Sequence, residues 1–97
     1  MVIAKLHKDS YGRLLLAVCD KKLLGKRFEE KGKVLDLSSD FYNGNEISED
    51  KLRNLCKGAY IINAVGEKSV SIAIELGLAE KSDALKIKKI PHIQIMR

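Results

Sequence analysis

The stretch Tyr60–Leu76, Y-I-I-N-A-V-G-E-K-S-V-S-I-A-I-E-L, carries the pattern that decides the fold. Its first six residues are apolar on both faces apart from Asn63, which is typical of a strand inside a sheet. A helix over 67–76 is expected after Gly66, because apolar residues recur there at helical spacing and Gly77 can end it. A buried strand that leads into a largely buried helix predicts an α/β arrangement.

The turn at the centre of this stretch, G-E-K-S at residues 66–69, is the first candidate for a functional site. A glycine followed by a helix N-terminus can bind an anion through free N–H groups and the helix dipole, and Lys68 lies in the first turn. The turn is not a P-loop, because the first glycine of G-x-x-x-x-G-K-[ST] would fall at position 62, which is isoleucine. Glu67 would also repel a phosphate. An anion site and a structural turn tied to the backbone by Asn63 are both open interpretations.

The N-terminal half predicts two pairs of strands. Residues 2–8 and 13–19 are rich in apolar side chains and are separated by the turn sequence D-S-Y-G, which indicates a β-hairpin with a central second arm. Residues 20–27 then form a short turn that ends at Gly25. Residues 28–38, F-E-E-K-G-K-V-L-D-L-S, predict two further short strands that meet at the lysine–glycine pair.

The C-terminal half completes the set of elements. Ser48 is the expected N-cap of a helix over 48–58, with acidic residues in the first turn. The tail over 84–97 alternates at period two and predicts one or two strands, broken at Pro91. This order predicts a single domain, residues 1–97, of the α/β (α+β) class: a two-layer sandwich in which a mixed β-sheet carries two helices packed on one face.

The composition is that of a folded chain with a modest excess of positive charge. Hydrophobic residues make up 45% and charged residues 32%, and 18 basic against 13 acidic residues give a net charge of +5, which favours a polyanionic partner. No apolar run approaches the ~20 residues that span a bilayer, and the N-terminus lacks the order of a signal peptide, so we expect a cytoplasmic protein. Cys19 and Cys56 are expected to be small buried hydrophobes, and neither a metal nor another cofactor is expected.

The candidate nucleic-acid contacts lie mainly in the tail. Its basic residues are Lys86, Lys88, Lys89 and Arg97. Period two places Lys86 and Lys88 on an exposed strand face, and the alternate residues Leu85 and Ile87 are expected to face the core. Such a cluster can bind RNA, with Lys68 and the Gly66 amide as further contacts. The contacts would be to phosphates rather than to bases, because the tail offers no aromatic side chain for base stacking. The same lysines can instead form a solvated face that protects a sheet edge.

A second candidate site is polar. His92 and Gln94 in the segment P-H-I-Q share one strand face, and Ile93 points to the other. Together with Asn63 they can hydrogen-bond a base or a substrate, or form a local network at an exposed edge. No serine or cysteine has a histidine close by in sequence, so we expect a binding module rather than an enzyme and assign no catalytic residues.

Several short motifs together resemble one family. They are L-L-G-K at 23–26, F-Y-N-G at 41–44, N-A-V-G-E-K-S-V at 63–70, A-I-E-L-G-L at 73–78 and P-H-I-Q at 91–94. In this order they resemble the archaeal domain-of-unknown-function family 424 over nearly the whole chain. The resemblance implies an archaeal, cytoplasmic, single-domain protein without an established activity, and it supplies no catalytic residues. It marks the Asn63/Gly66 turn and the strand at Pro91–Gln94 as family features.

Three functional hypotheses follow. The favoured one is a non-enzymatic binding module for RNA or a ribonucleoprotein such as the translation apparatus. The second is a small-ligand or anion-binding protein, or an enzyme, with Asn63, Gly66, Glu67 and His92 in one pocket. The third is a protein–protein interaction subunit, which an exposed apolar patch would indicate. The oligomeric state is left open.

Overall fold

The computed structural model describes residues 1–97 as two helices, a six-stranded sheet and a separate two-stranded sheet. The elements are β1 Val2–Lys8, β2 Leu14–Asp20, β3 Arg27–Glu30, β4 Lys33–Asp36, β5 Asn45–Ile47, α1 Glu49–Gly58, β6 Ile61–Val65, α2 Glu67–Glu75, β7 Leu85–Ile87 and β8 Ile90–Met96. Short 3₁₀ turns follow β2 and precede β7. The α+β class with a mixed sheet, expected from the sequence, is confirmed.

The large sheet has the order β5-β1-β2-β6-β8-β7. β1 and β2 form the expected antiparallel hairpin, in which Val2 lies opposite Asp20. β6 pairs parallel with β2, from Leu15 opposite Ile61 onward, and antiparallel with β8. β2 and β6 are therefore the two central strands, in agreement with their apolar sequences.

Both helices pack on one face of the large sheet, as the sequence predicted. Ser48 is confirmed as the N-cap of α1, since its hydroxyl accepts the N–H of Lys51 at 3.1 Å. Neither helix combines the length and the apolar character that a membrane span requires. The core between the helices and the sheet is formed by Val2, Ala4, Leu16, Val18, Leu52, Cys56, Ala59, Ile62, Ala64, Val70, Ile72, Ala73, Ile93 and Ile95.

The small sheet of β3 and β4 covers part of the opposite face. The two strands meet at Lys31–Gly32, as expected, and Lys31 takes a φ of 50° in the turn. A second core lies beneath them, formed by Ile3, Cys19, Leu23, Leu35, Leu37, Val65 and Ile87. The sequence predicted these strands but not their position, because a short hairpin does not specify the face on which it will pack.

The tail differs from the expectation in two respects. Pro91 does not break the strand but lies inside β8, and the chain reverses instead at Lys88–Lys89, whose φ angles are 53° and 65°. Positive φ at both central residues fits the twist of a two-residue hairpin. The prediction that Leu85 faces the core was also wrong: Leu85 lies on the edge strand β7 and is 60% exposed.

Candidate functional site

The carboxyl ends of the parallel strands β2 and β6 meet beside the N-terminus of α2. Asp20 ends β2, and only 6% of it is exposed. Its Oδ1 accepts the N–H and the hydroxyl of Ser69, each at 2.9 Å, and its Oδ2 accepts the N–H of Lys68 at 3.1 Å. A carboxylate from a distant strand therefore caps α2, where the N–H groups and helix dipole would otherwise attract an external anion.

Gly66 makes this close approach possible. Its φ is 103°, and a Cβ at this position would lie 2.6 Å from Oδ2 of Asp20. The N–H of Gly66 donates to the carbonyl of Pro91 at 2.8 Å. The amides of Gly66, Lys68 and Ser69 are therefore all bonded within the protein, and Asp20 rather than Asn63 ties the turn down. An external anion at these amides would have to displace the Asp20 carboxylate.

Two adjoining clefts open at this cap. The larger, of about 620 Å³, is lined by Met1, Asp20, Lys21, Lys22, Glu67 and Lys68. The smaller, of about 170 Å³, shares Asp20, Lys22 and Glu67 and extends to Lys89 and Pro91 in the β7–β8 region. We call this surface the lysine groove and define it by Lys21, Lys22, Lys68 and Lys89. Its place outside the carboxyl ends of parallel strands is where open α/β sheets usually bind ligands.

The lysine groove has an excess of positive charge. Four lysines face two carboxylates, of which that of Asp20 is buried and hydrogen-bonded to the helix N-terminus. Lys21 pairs with Glu46 at 2.7 Å, and Lys68 lies 3.8 Å from Glu49. These partners are solvent-exposed, so the pairs are weak. No ion pair involves Lys22 or Lys89, which leaves both ammonium groups available to an anionic ligand.

The structure divides the basic cluster that was predicted in the tail. Lys89 joins Lys68 and Gly66 at the lysine groove. Lys88 is the other central residue of the same turn, and its N–H donates to the Glu30 carboxylate at 3.2 Å. Arg97 lies at the opposite end of β8, where its guanidinium donates to a carbonyl of α1 at 3.1 Å. Arg97 therefore does not share a surface with the lysines of the turn.

The predicted polar set does come together, but not in the groove. Asn63 of β6 lies directly opposite Gln94 of β8, and His92 is two residues farther along the same face. Burial, and then the charge of Lys33, lower the pKa of His92, and its Nδ1 is buried without a hydrogen-bond partner. Neither cleft of the lysine groove is lined by any of these three side chains. The single pocket that would combine them with Gly66 is not formed.

Both cysteines are buried and unpaired, as the sequence predicted. Burial, reinforced by the neighbouring charge of Asp20, raises the pKa of Cys19 to about 11. Burial also raises the pKa of Cys56. Both thiols therefore stay protonated at neutral pH and act as small core side chains. Nowhere do three His, Cys, Asp or Glu side chains converge as metal ligands.

Sequence reasoning recognised Lys21 and Lys22 as part of a second basic cluster, diluted by acidic residues that include Asp20, but assigned none of the three to the site. A signal was present, because Asp20 is an acidic residue at the carboxyl end of a strand that is otherwise entirely apolar. A charged residue in that position needs a hydrogen-bonding partner when the strand is buried. The partner lies 48 residues away at Lys68, and nothing near Asp20 in sequence identifies it.

Comparison with known proteins places the chain in a family. The model of the family described as protein of unknown function (DUF424) matches residues 7–97, so the chain belongs to that family. Its fold is similar to the crystal structure of an uncharacterized conserved protein from Methanopyrus kandleri, with a TM-score of 0.78 and 30% sequence identity over 99% of this chain and 93% of the other. No curated protein matches. The resemblance inferred from the sequence motifs is confirmed.

Proposed function

We propose that this member of the DUF424 family is a non-enzymatic binding module for RNA, free or within a ribonucleoprotein, and that it holds RNA phosphates along the lysine groove. The observation that carries the proposal is the convergence of lysines from three separate segments. Lys21 and Lys22 follow β2, Lys68 belongs to α2 and Lys89 to the β7–β8 turn, and each borders at least one of the two adjoining clefts.

The shape of the lysine groove favours a chain of phosphates over one small anion. Its two clefts adjoin, which suits successive groups along a backbone. The backbone amides that would cradle a single phosphate are already bonded to Asp20. Recognition then rests on the lysine ammonium groups, which act as flexible point charges and read no base identity. We therefore expect binding that depends weakly on RNA sequence and strongly on salt.

The test is a charge-reversal series with a control of equal charge. The groove variant is Lys22→Glu/Lys68→Glu/Lys89→Glu, and the control is Lys26→Glu/Lys57→Glu/Lys81→Glu, three exposed lysines outside the groove. Binding of a fluorescein-labelled single-stranded oligouridine is followed by anisotropy over a range of salt concentrations. Because each phosphate contact contributes about 0.7 to the salt slope for single strands, the groove variant should lose about 2 units of slope.

The control separates a specific groove from net charge alone. It carries the same net charge as the groove variant, so it should keep most of the parent slope and affinity. Equal losses in the two variants would show that RNA responds only to overall charge and would refute the groove. Absence of salt-dependent RNA binding by the parent protein would refute the function itself.

A further inference from the structure

One strand of the large sheet is left half unpaired. β1 pairs with β2 along its whole length, but β5 pairs only with Val2–Ala4 on the other side. The chain joins this edge only after Gly44, where any Cβ would overlap the carbonyl of Ala4. Residues 5–8 of β1 therefore border the sheet without a neighbouring strand.

The hydrogen-bonding groups of this edge point outward. In an antiparallel ladder alternate residues face the partner strand, and the N–H of Asp9 donates to the carbonyl of Arg13 across the hairpin with β2. By the same alternation His7 and Lys5 face β2, and Leu6 and Lys8 direct their N–H and C=O groups to the open side. Neither Leu6 nor Lys8 takes part in a backbone hydrogen bond outside the regular elements. Their main chains can accept an added strand.

A groove lies beside the open edge. This β1 groove has a volume of about 490 Å³, and its apolar lining consists of Ala4, Leu6, Ile47 and Leu55. Leu6 is 45% exposed although it is the next residue after Ala4 on the face of β1 that packs toward the helices. An apolar side chain of an added strand would fill the space between β1 and α1.

The charge of the β1 groove selects the partner. Lys5 and Lys51 line it, no carboxylate does, and Lys8 ends the open edge. Two copies of this edge paired antiparallel would bring their own lysines together, which disfavours self-association. RNA cannot form the alternating N–H and C=O pairs that the edge offers. The groove suits an extended peptide that carries an apolar residue and, two positions to either side on the same face, acidic residues.

We propose that the open edge of β1 binds an acidic extended peptide of a partner protein by strand addition. The peptide main chain pairs with Leu6 and Lys8, one apolar side chain enters the β1 groove, and carboxylates two residues to either side, on the same strand face, meet Lys8 and Lys51. This site lies at the opposite end of β1 from Met1, which borders the lysine groove. The inference is therefore independent of RNA binding.

The probe is a fluorescein-labelled peptide with the repeat Glu-Thr-Val-Thr, which places its glutamates and valines on one strand face, compared with its Lys-Thr-Val-Thr counterpart. We expect saturable binding of the acidic peptide only, with NMR shifts and slowed amide exchange at Leu6 and Lys8. N-methylation of the peptide on one set of alternate residues should abolish binding, and methylation of the other set should leave it intact. Lys51→Glu should weaken binding at least tenfold, whereas Lys57→Glu on the same helix but outside the groove should not.

Other outcomes would overturn the inference. No saturable binding, equal affinity in the Lys51 and Lys57 variants, or equal effects of both methylation patterns would each exclude strand addition at this edge. Shifts confined to the lysine groove would show that the peptide only imitates a nucleic acid. A dimer in sedimentation that involves Leu6 and Lys8 would assign the edge to a second copy. Circular dichroism of both variants checks that the fold is retained.

Discussion

Replacement of Asp20 by alanine is the most direct perturbation of the site. Its carboxylate accepts two N–H groups and one hydroxyl at 2.9–3.1 Å, and it is nearly inaccessible to solvent. Removing it leaves the first amides of α2 without an acceptor beside the junction of β2 and β6. We therefore expect Asp20→Ala to lower the free energy of unfolding substantially, although the Asp20 side chain contributes no hydrophobic burial.

The magnitude follows from the number and type of the lost bonds. Hydrogen bonds to a charged group are worth about 1.5–3 kcal/mol each, which sets an upper limit of about 9 kcal/mol for three. Lys68 lies at the groove, where water can replace one bond, so we expect about 3–5 kcal/mol for Asp20→Ala. Asp20→Asn keeps one acceptor oxygen for Ser69 but presents an NH₂ group to the second amide and loses the charge, so about 1–2 kcal/mol is expected.

The assay is urea unfolding followed by far-ultraviolet circular dichroism, with Asp40→Ala as the control. Asp40 is exposed and its side chain makes no hydrogen bond, so the control should stay within about 0.5 kcal/mol of the parent. For a domain of this size each kcal/mol corresponds to about 4–8 °C in Tm. An Asp20→Ala loss no larger than the control, or equal losses for alanine and asparagine, would refute the capping argument.

Three further predictions concern the glycine turn, the buried histidine and the thiols. Gly66→Ala should lower the free energy of unfolding in urea by more than about 2 kcal/mol, because its φ is positive and the added methyl group would overlap the Asp20 carboxylate. The control is Gly58→Ala in α1, where a methyl group would touch no other residue, and it should change stability by less than about 1 kcal/mol. The pKa of His92 is lowered in the folded protein, so below about pH 6.5 the unfolded chain binds a proton that the folded chain does not, and the free energy of unfolding declines. The variant His92→Gln should flatten that decline. The same dependence of unfolding free energy on pH in parent and variant would contradict this. A thiol reagent should label neither Cys19 nor Cys56 in the native protein and both after denaturation; rapid native labelling would show that one is accessible.

The features that the sequence predicted correctly are encoded by near neighbours. The N-cap at Ser48 depends on an amide three residues away, and the hairpin of β1 and β2 on a turn between adjacent strands. Gly66 and Gly77 mark the ends of α2 because a positive φ is costly for other residues. The family resemblance also rests on local motifs. Each of these signals is complete within one segment of the chain.

The misplaced features depend on which segments become neighbours. Pro91 was expected to break a strand, but it lies inside β8. Its carbonyl accepts the N–H of Gly66, a residue that is distant in sequence. The actual reversal occurs at Lys88–Lys89, which lack the glycine or asparagine usual in such a turn. β5 is three residues long and was not predicted, because so short a strand shows no measurable periodicity.

The sequence by itself determined the helices, most of the strands, the α+β class and the family, because periodicity and capping act over a few residues. Only the tertiary structure decided that β2 lies parallel to β6, which brings Asp20 to amides 48 and 49 residues away. That pairing bonds the protein's own carboxylate to the amides of Lys68 and Ser69 and gathers four lysines from three segments into one groove. The physical reason is that these contacts form only when distant segments pair in a particular register. That register depends on both segments together, so neither segment's own sequence predicts it.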